Sequence, residues 1–290
     1  MTTNQPDEKA QATTKSYPSI KQSWGIFGIA ILAMLVLAPV NLILNESAGK
    51  EVSFLVYYLL SMGGTFFIVN RIRQDKTRQT SYPFSFTTTK ITLLAALGIF
   101  GIQIGVVAPI TELIPMSDFI KQIFMEFAGQ KGFLSFIAIV IAAPILEELI
   151  FRGIILDGLL KRYSPVKAIL FSSFLFGLVH LNPWQFVAAM VIGMFSGWIY
   201  YRTKNLWLPI LIHLTNNGIA FIQLHLVGPD EVMTPAAEYY GGMLNMILIT
   251  ACGVIVAIGC ILLLRKEFNL NQNEEAINQE NPEFQVQETE

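Results

Sequence analysis

Residues 132–155 read GFLSFIAIVIAAPILEELIFRGII, an apolar run broken only by Glu147, Glu148 and Arg152. As a helix this stretch rises about 36 Å, enough to cross the ~30 Å hydrocarbon core of a bilayer. Ionisable side chains at that depth cost a few kcal/mol each on insertion scales, so three in one span point to a site or to fixed pairing. Reading this run as a membrane helix sets the expectation for the rest of the chain.

That expectation holds along the chain. Of 290 residues, 53% are hydrophobic and only 14% charged, with a mean hydropathy of +0.53. Soluble domains carry about 25% charged residues, so a soluble globule of this composition could not cover its surface. Apolar runs at 24–44, 53–70, 91–110, 132–155, 166–181, 184–201, 206–225 and 242–264 predict about eight transmembrane helices in an all-α polytopic membrane protein. The fifth run is short, and Asn182-Pro183 turns it into the sixth. Segments with an even number of spans behind them, together with the N-terminal tail, carry 15 of the 19 Lys and Arg. The alternate loops carry three, Lys50, Lys121 and Lys131, and Arg152 lies inside a span. The positive-inside rule then puts both termini in the cytoplasm and the protein in a membrane, with the cell membrane expected. Net charge is −2 with no basic patch, which argues against nucleic acid as a partner. Cys252 and Cys260 are eight residues apart in one run, about 12 Å along a helix, too far for a disulfide.

The organisation follows: a polar cytoplasmic tail at 1–23, N-terminal transmembrane helices within 24–131, a core at 132–225, a last span at 242–264 and an acidic disordered tail at 265–290. Within 116–129, Phe119, Ile120, Ile123, Phe124 and Phe127 alternate with charge as an amphipathic helix at the interface does. The final 24 residues hold seven Glu and no Lys or Arg. Ala189, Gly193 and Gly197, and likewise Gly101 and Gly105, recur every four residues and suit close packing of helices within the protein.

Ionisable residues are confined to three spans: Glu147, Glu148 and Arg152 in the fourth, His180 in the fifth, His213 in the seventh. Counted from the basic loops, Glu147 and His180 stand ~20 Å deep and His213 ~14 Å, so the three can meet. Glu148 and Arg152 are four residues apart and share a helix face, which suits a structural ion pair. Glu147 points about 100° away, without a partner in its own helix, and is free to serve as a general base or acid. His213 and Asn217 are also one turn apart, as are Phe176 and His180. Phe176 reads as a packing residue shaping the pocket. Asn216 faces elsewhere, and His225 reads as incidental at the outer interface.

Glu147-Glu148-Leu-Ile-Phe-Arg152, then Phe176-Gly-Leu-Val-His180, then His213-Leu-Thr-Asn-Asn217 resembles the EExxxR, FxxxH and Hxxx(N/D) motifs of the CPBP family, the intramembrane CAAX proteases and bacteriocin-processing or Abi proteins. The resemblance implies proteolysis within the membrane. Glu147 would activate a water, His180 would help hold it or a metal, and His213 and Asn217 would hold the water or stabilise the oxyanion. Glu148, Arg152 and Phe176 would support them. Glu147, His180 and His213 have the composition of a His₂Glu zinc site, yet no HExxH pairing is present, so Zn²⁺ and a metal-free glutamate mechanism are equally consistent with the sequence. No organic cofactor is implied. The partners expected are the lipid bilayer and a membrane-inserted or lipidated peptide substrate. A proton-coupled transporter is the alternative, but no internal repeat between the halves is evident. A catalytically idle scaffold or immunity protein is a third reading.

Overall fold

The computed structural model describes residues 16–85, 87–129, 131–228, 231 and 234–280. Over these residues the chain is helical throughout, in the order α1 (Ile20–Ala48), α2 (Lys50–Thr77), α3 (Thr89–Glu112), α4 (Asp118–Ala128), α5 (Phe133–Leu160), α6 (Pro165–Leu178), α7 (Pro183–Thr203), α8 (Trp207–Leu226), α9 (Ala236–Tyr239) and α10 (Met243–Glu280). By length and composition α1, α2, α3, α5 and residues Met243–Leu270 of α10 suffice to cross a bilayer. Leu35, Val36 and Leu42 on α1 and Leu244, Ile255 and Leu262 on α10 are exposed. Apolar surface on that scale belongs against lipid, and the protein is an integral membrane protein.

Local chemistry fixes where the helices start. Ser19 caps α1 in a reciprocal capping box with Gln22, and Thr88 caps α3 through Ile91 N–H. Gly49 joins α1 to α2 in a single residue at φ 86°, a conformation that favours glycine. Asn182 accepts from Trp184 N–H, with Pro183 as the first residue of α7.

The bundle has two distinct ends. At one, Lys161 bonds Gln79, Arg162 bonds the Ser16 carbonyl, Lys90 pairs with Glu267 and Asn205 bonds Ser85. At the other, Lys50 pairs with Glu126, Trp184 donates to the Ile114 carbonyl and Ala236 N–H donates to Glu112. The basic segments thus gather at one end.

The last helix differs from the sequence reading. Where a span ending at 264 and a disordered acidic tail from 265 were expected, α10 continues to Glu280. Leu, Lys, Glu, Gln and Ala propagate a helix readily once it is nucleated, and the Lys90–Glu267 pair and the Arg202–Asn269 bond tie its first extra turns to the bundle. Residues 281–290, and 1–15 of the N-terminal tail, lie outside the described residues. The 116–129 segment forms its helix over Asp118–Ala128.

Small residues bring α3 and α10 together. A Cβ on Gly105 would stand 2.3 Å from Val254 N, and one on Gly101 would stand 2.7 Å from Ala257 N. Both contacts are with backbone, which cannot swing away. Gly105→Val is therefore expected to destabilise the bundle by on the order of 3 kcal/mol, at the upper end of overpacking costs. Thermal unfolding of the detergent-solubilised protein checks this; an unchanged Tm would contradict the close approach.

Candidate active site

A cavity of about 490 Å³ lies among α2, α3, α5, α6, α7 and α8, with Phe124 of α4 also lining it. Glu147, Phe176, His180, His213 and Asn217 all line it, so the three polar spans do converge. Glu148 and Arg152 lie behind this wall, 0% and 1% exposed.

Two neighbouring carboxylates on α5 meet different surroundings. Glu148 Oε1 accepts from Arg152 Nη1 at 2.9 Å and lies 3.1 Å from His213 Nδ1. The Arg152 guanidinium also stacks over Phe176, 4.5 Å from the ring centre. Room for it comes from Gly193 of α7, where a Cβ would come within 3.0 Å of Arg152 Nη2. The small-residue stripe on α7 thus accommodates the buried cation. Phe176 also packs edge-on against His180 and His213, with centroids 5.4 and 5.5 Å away. It is the wedge that sets both imidazoles.

Glu147 is turned the other way. Its Oε1 accepts from the Tyr58 hydroxyl at 2.5 Å, and its Oε2 stands 3.8 Å from His213 Nε2, too far for a direct hydrogen bond. Since the Glu148 carboxylate only accepts, Nδ1 of His213 carries a proton, and in a neutral ring Nε2 would face Glu147 as an acceptor. His180 repeats the pattern: its Nδ1 lies 2.9 Å from the Phe176 carbonyl, leaving Nε2 as the acceptor.

Asn217 is positioned by a proline. Residues Ile137–Ala142 of α5 run with i→i+5 hydrogen bonds, and the next donor in that register would be Pro144, which has no N–H. The freed Ile139 carbonyl accepts from Asn217 Nδ2 at 2.9 Å. One amide hydrogen of Asn217 remains for the cavity. Wide turns of the same kind occur at Leu59–Gly63, Gln103–Val107 and Leu149–Leu156. They carry or adjoin Tyr58, Gln103 and Arg152.

The sequence analysis missed Tyr58, which reaches Glu147 from outside the three polar spans. It also passed over Gln103 and Asn216, both cavity-lining. Asn216 donates to Asn217 Oδ1 at 3.2 Å rather than facing away. The signal available was a polar side chain in an otherwise apolar span. His225, read as incidental, stands at the cavity mouth, its ring nitrogens 2.9 Å from the Phe221 carbonyl and 2.8 Å from that of Lys131.

Glu147, His180 and His213, the zinc set drawn from the sequence, all line the cavity. Among the described residues no three His, Cys, Asp or Glu side chains are grouped as metal ligands. Nδ1 of each histidine is bound to a protein acceptor, which leaves Nε2 of both rings free, an arrangement that metal-ligating histidines share, while Tyr58 holds Oε1 of Glu147.

A helical membrane bundle with a carboxylate and two histidines converging on an internal cavity defines a class of intramembrane catalytic or transport site. Comparison with known proteins narrows it. Residues 129–219 match the family model described as type II CAAX prenyl endopeptidase Rce1-like. The putative membrane peptidase YdiL of Bacillus subtilis (strain 168) is 39% identical over 82 residues, 28% of this chain and 34% of that protein. The membrane-embedded CAAX protease MroQ of Staphylococcus aureus (strain USA300) is 31% identical over 107 residues, 34% and 42% of the two chains. An uncharacterized 24.3 kDa protein of Escherichia coli is 29% identical over 115 residues, 37% and 53%. The matches span about a third to a half of the length of these relatives. No solved structure matches the chain. The resemblance to the CPBP family is thereby borne out, and it rests on the core that carries the three motifs.

The buried pair makes a prediction about stability. Arg152→Ala leaves Glu148 charged and unpaired in a dry site and is expected to cost about 3–5 kcal/mol. Replacing both residues, Glu148→Met with Arg152→Met, is expected to recover most of that loss. Denaturation of the wild type and the two variants in detergent decides it; a double variant no more stable than Arg152→Ala would contradict the pair's assigned role.

Proposed function

We propose that this protein is an intramembrane endopeptidase of the cell membrane, spanning it eight times with both termini cytoplasmic, and that Glu147 is its general base. The observation that carries the reading is the placement of Glu147 on the cavity wall, with the Tyr58 hydroxyl on one oxygen and His213 Nε2 3.8 Å from the other. A water can stand to the side of that gap at about 2.8 Å from both acceptors, donating one hydrogen to Glu147 Oε2 and the other to His213 Nε2. Its lone pairs then face the cavity. As Glu147 takes the proton, the water oxygen bonds to the scissile carbonyl carbon. The free amide hydrogen of Asn217 is the neutral donor at hand for the oxyanion. Glu147 returns the proton to the departing amine as the C–N bond breaks. His180 Nε2 offers a second acceptor for the water or for the N–H of the leaving amine.

The match to a CAAX prenyl endopeptidase model and to membrane peptidases supports peptide hydrolysis over the transporter and scaffold readings. Phe54, Phe124 and Phe221 along the cavity suit an apolar peptide segment or the lipid chain of a lipidated peptide. The proposed partners are accordingly a membrane-inserted or lipidated peptide and the surrounding bilayer.

Cleavage of a peptide library by the purified protein in nanodiscs tests this. Glu147→Gln is expected to lower the rate about 10²–10⁴-fold, the range for loss of a general base. Tyr58→Phe is expected to lower it about 10- to 150-fold with folding intact, the worth of a hydrogen bond to a charged group. With Glu147 acting on water without a metal, activity is expected to persist after chelation. Loss on chelation with recovery on Zn²⁺ would overturn the metal-free mechanism, and cleavage surviving in Glu147→Gln would overturn the assignment.

A further inference from the structure

We infer that the cavity opens to the extracytoplasmic face, so that the substrate is a peptide segment presented at the outer leaflet, such as an exported or translocated chain, rather than a tail offered from the cytoplasm. The inference about access rests on geometry and charge. The inference about substrate deepens the peptidase reading and rests on it.

Four observations converge. The segments that meet around Gln79, Lys161, Arg162 and Lys90 form the basic end of the bundle, while Lys50, Lys121 and Lys131 belong to the other. The positive-inside rule assigns the basic end to the cytoplasm. The cavity wall includes Thr111, Phe124, Lys131, Trp184 and His225 from the opposite end, and none of its lining residues comes from 71–90, 161–167 or 202–206.

Toward the basic end the cavity is sealed. Ile150, Phe151, Ile154, Ile155, Leu156 and Leu159 form a continuous layer at 0–2% exposure beneath Glu147. Among the described residues, this layer stands between the carboxylate and the basic end.

The length of α6 explains why the opening lies where it does. Pro165–Leu178 has 14 residues, about 21 Å of helix against a ~30 Å hydrocarbon core. Since α6 starts beside the basic loop, its far end stops about 10 Å short of the opposite surface. The turn at 179–182, with Leu181 at φ 53°, lies at that depth. Irregular backbone within the hydrocarbon is tolerated only where protein covers it or where it lines a water-filled cavity. His180 and Asn182 in this turn line the cavity. The short helix thus lets water down to Glu147 from the outer face.

Site-directed labelling tests access without reference to activity. Cys252 and Cys260 are replaced by Ala in the full chain, and single cysteines are placed at Ala220 on the cavity wall, Thr111 at its mouth and Gln79 at the basic end. A membrane-impermeant maleimide is applied to cells before and after permeabilisation. Ala220→Cys and Thr111→Cys are expected to label fully in intact cells, and Gln79→Cys at least about tenfold more after permeabilisation. Labelling of Ala220→Cys only after permeabilisation, or in neither condition, would overturn the inference. In parallel, a membrane-tethered reporter carrying a cleaved library sequence on either side of the membrane is expected to be cut, dependent on Glu147, only on the outer side. Outward labelling without such cleavage sinks the peptidase reading alone. Glu147-dependent cleavage of the cytoplasmic reporter sinks the inference alone.

Discussion

A carboxylate at membrane depth needs either a fixed partner or water, and α5 holds one of each kind side by side. Glu148 is dry and bound to Arg152 and His213. Glu147, about 100° around the helix, meets a cavity. Much of the bundle serves this division. Gly193 makes room for the guanidinium, Phe176 stacks on it while spacing the two imidazoles, and His213 reaches from one glutamate toward the other. Losing Arg152 would therefore disturb fold and site together, because the ion pair also sets the tautomer of the histidine that faces Glu147.

Departures from regular helix are concentrated around the same place. Pro144 cannot serve the Ile139 carbonyl, so that carbonyl is free to hold Asn217. Tyr58 stands immediately before a wide turn and Gln103 opens another. Turns of this type shift the phase of a helix and recur at functional sites. Here they aim polar side chains from α2 and α3 inward, toward a core whose motifs lie within residues 129–219. The N-terminal helices are thus part of the site as well as its packing against lipid.

Much of this was legible in the sequence, for identifiable reasons. Apolar runs and the exclusion of charge from most spans follow from the cost of charge in hydrocarbon, and they located Glu147, His180, His213 and Asn217 on one cavity. Glu148 and Arg152 pair because i,i+4 spacing allows nothing simpler. Tyr58 escaped because a tyrosine in a membrane span is cheap and unremarked until its partner is known. Asn216 escaped because an ideal helix turns it away from Asn217, whereas adjacent amides on a real helix can still touch. The hydrogen bonds that fix Nδ1 of both histidines could not be read from spacing, because their acceptors are set by how the helices pack. The run of α10 to Glu280 was hidden because an acidic composition resembles a solvated tail even where its residues propagate a helix well.

The central claim is that Glu147 delivers water directly to the peptide carbonyl. Its most direct test is single-turnover cleavage in H₂¹⁸O, with mass spectrometry of both the product and the protein. A general-base role places one ¹⁸O in the new C-terminal carboxylate of the product and none in the peptide of the protein that contains Glu147. Appearance of ¹⁸O in the Glu147 carboxyl, with unlabelled product from the first turnover, would show a covalent anhydride and contradict the account.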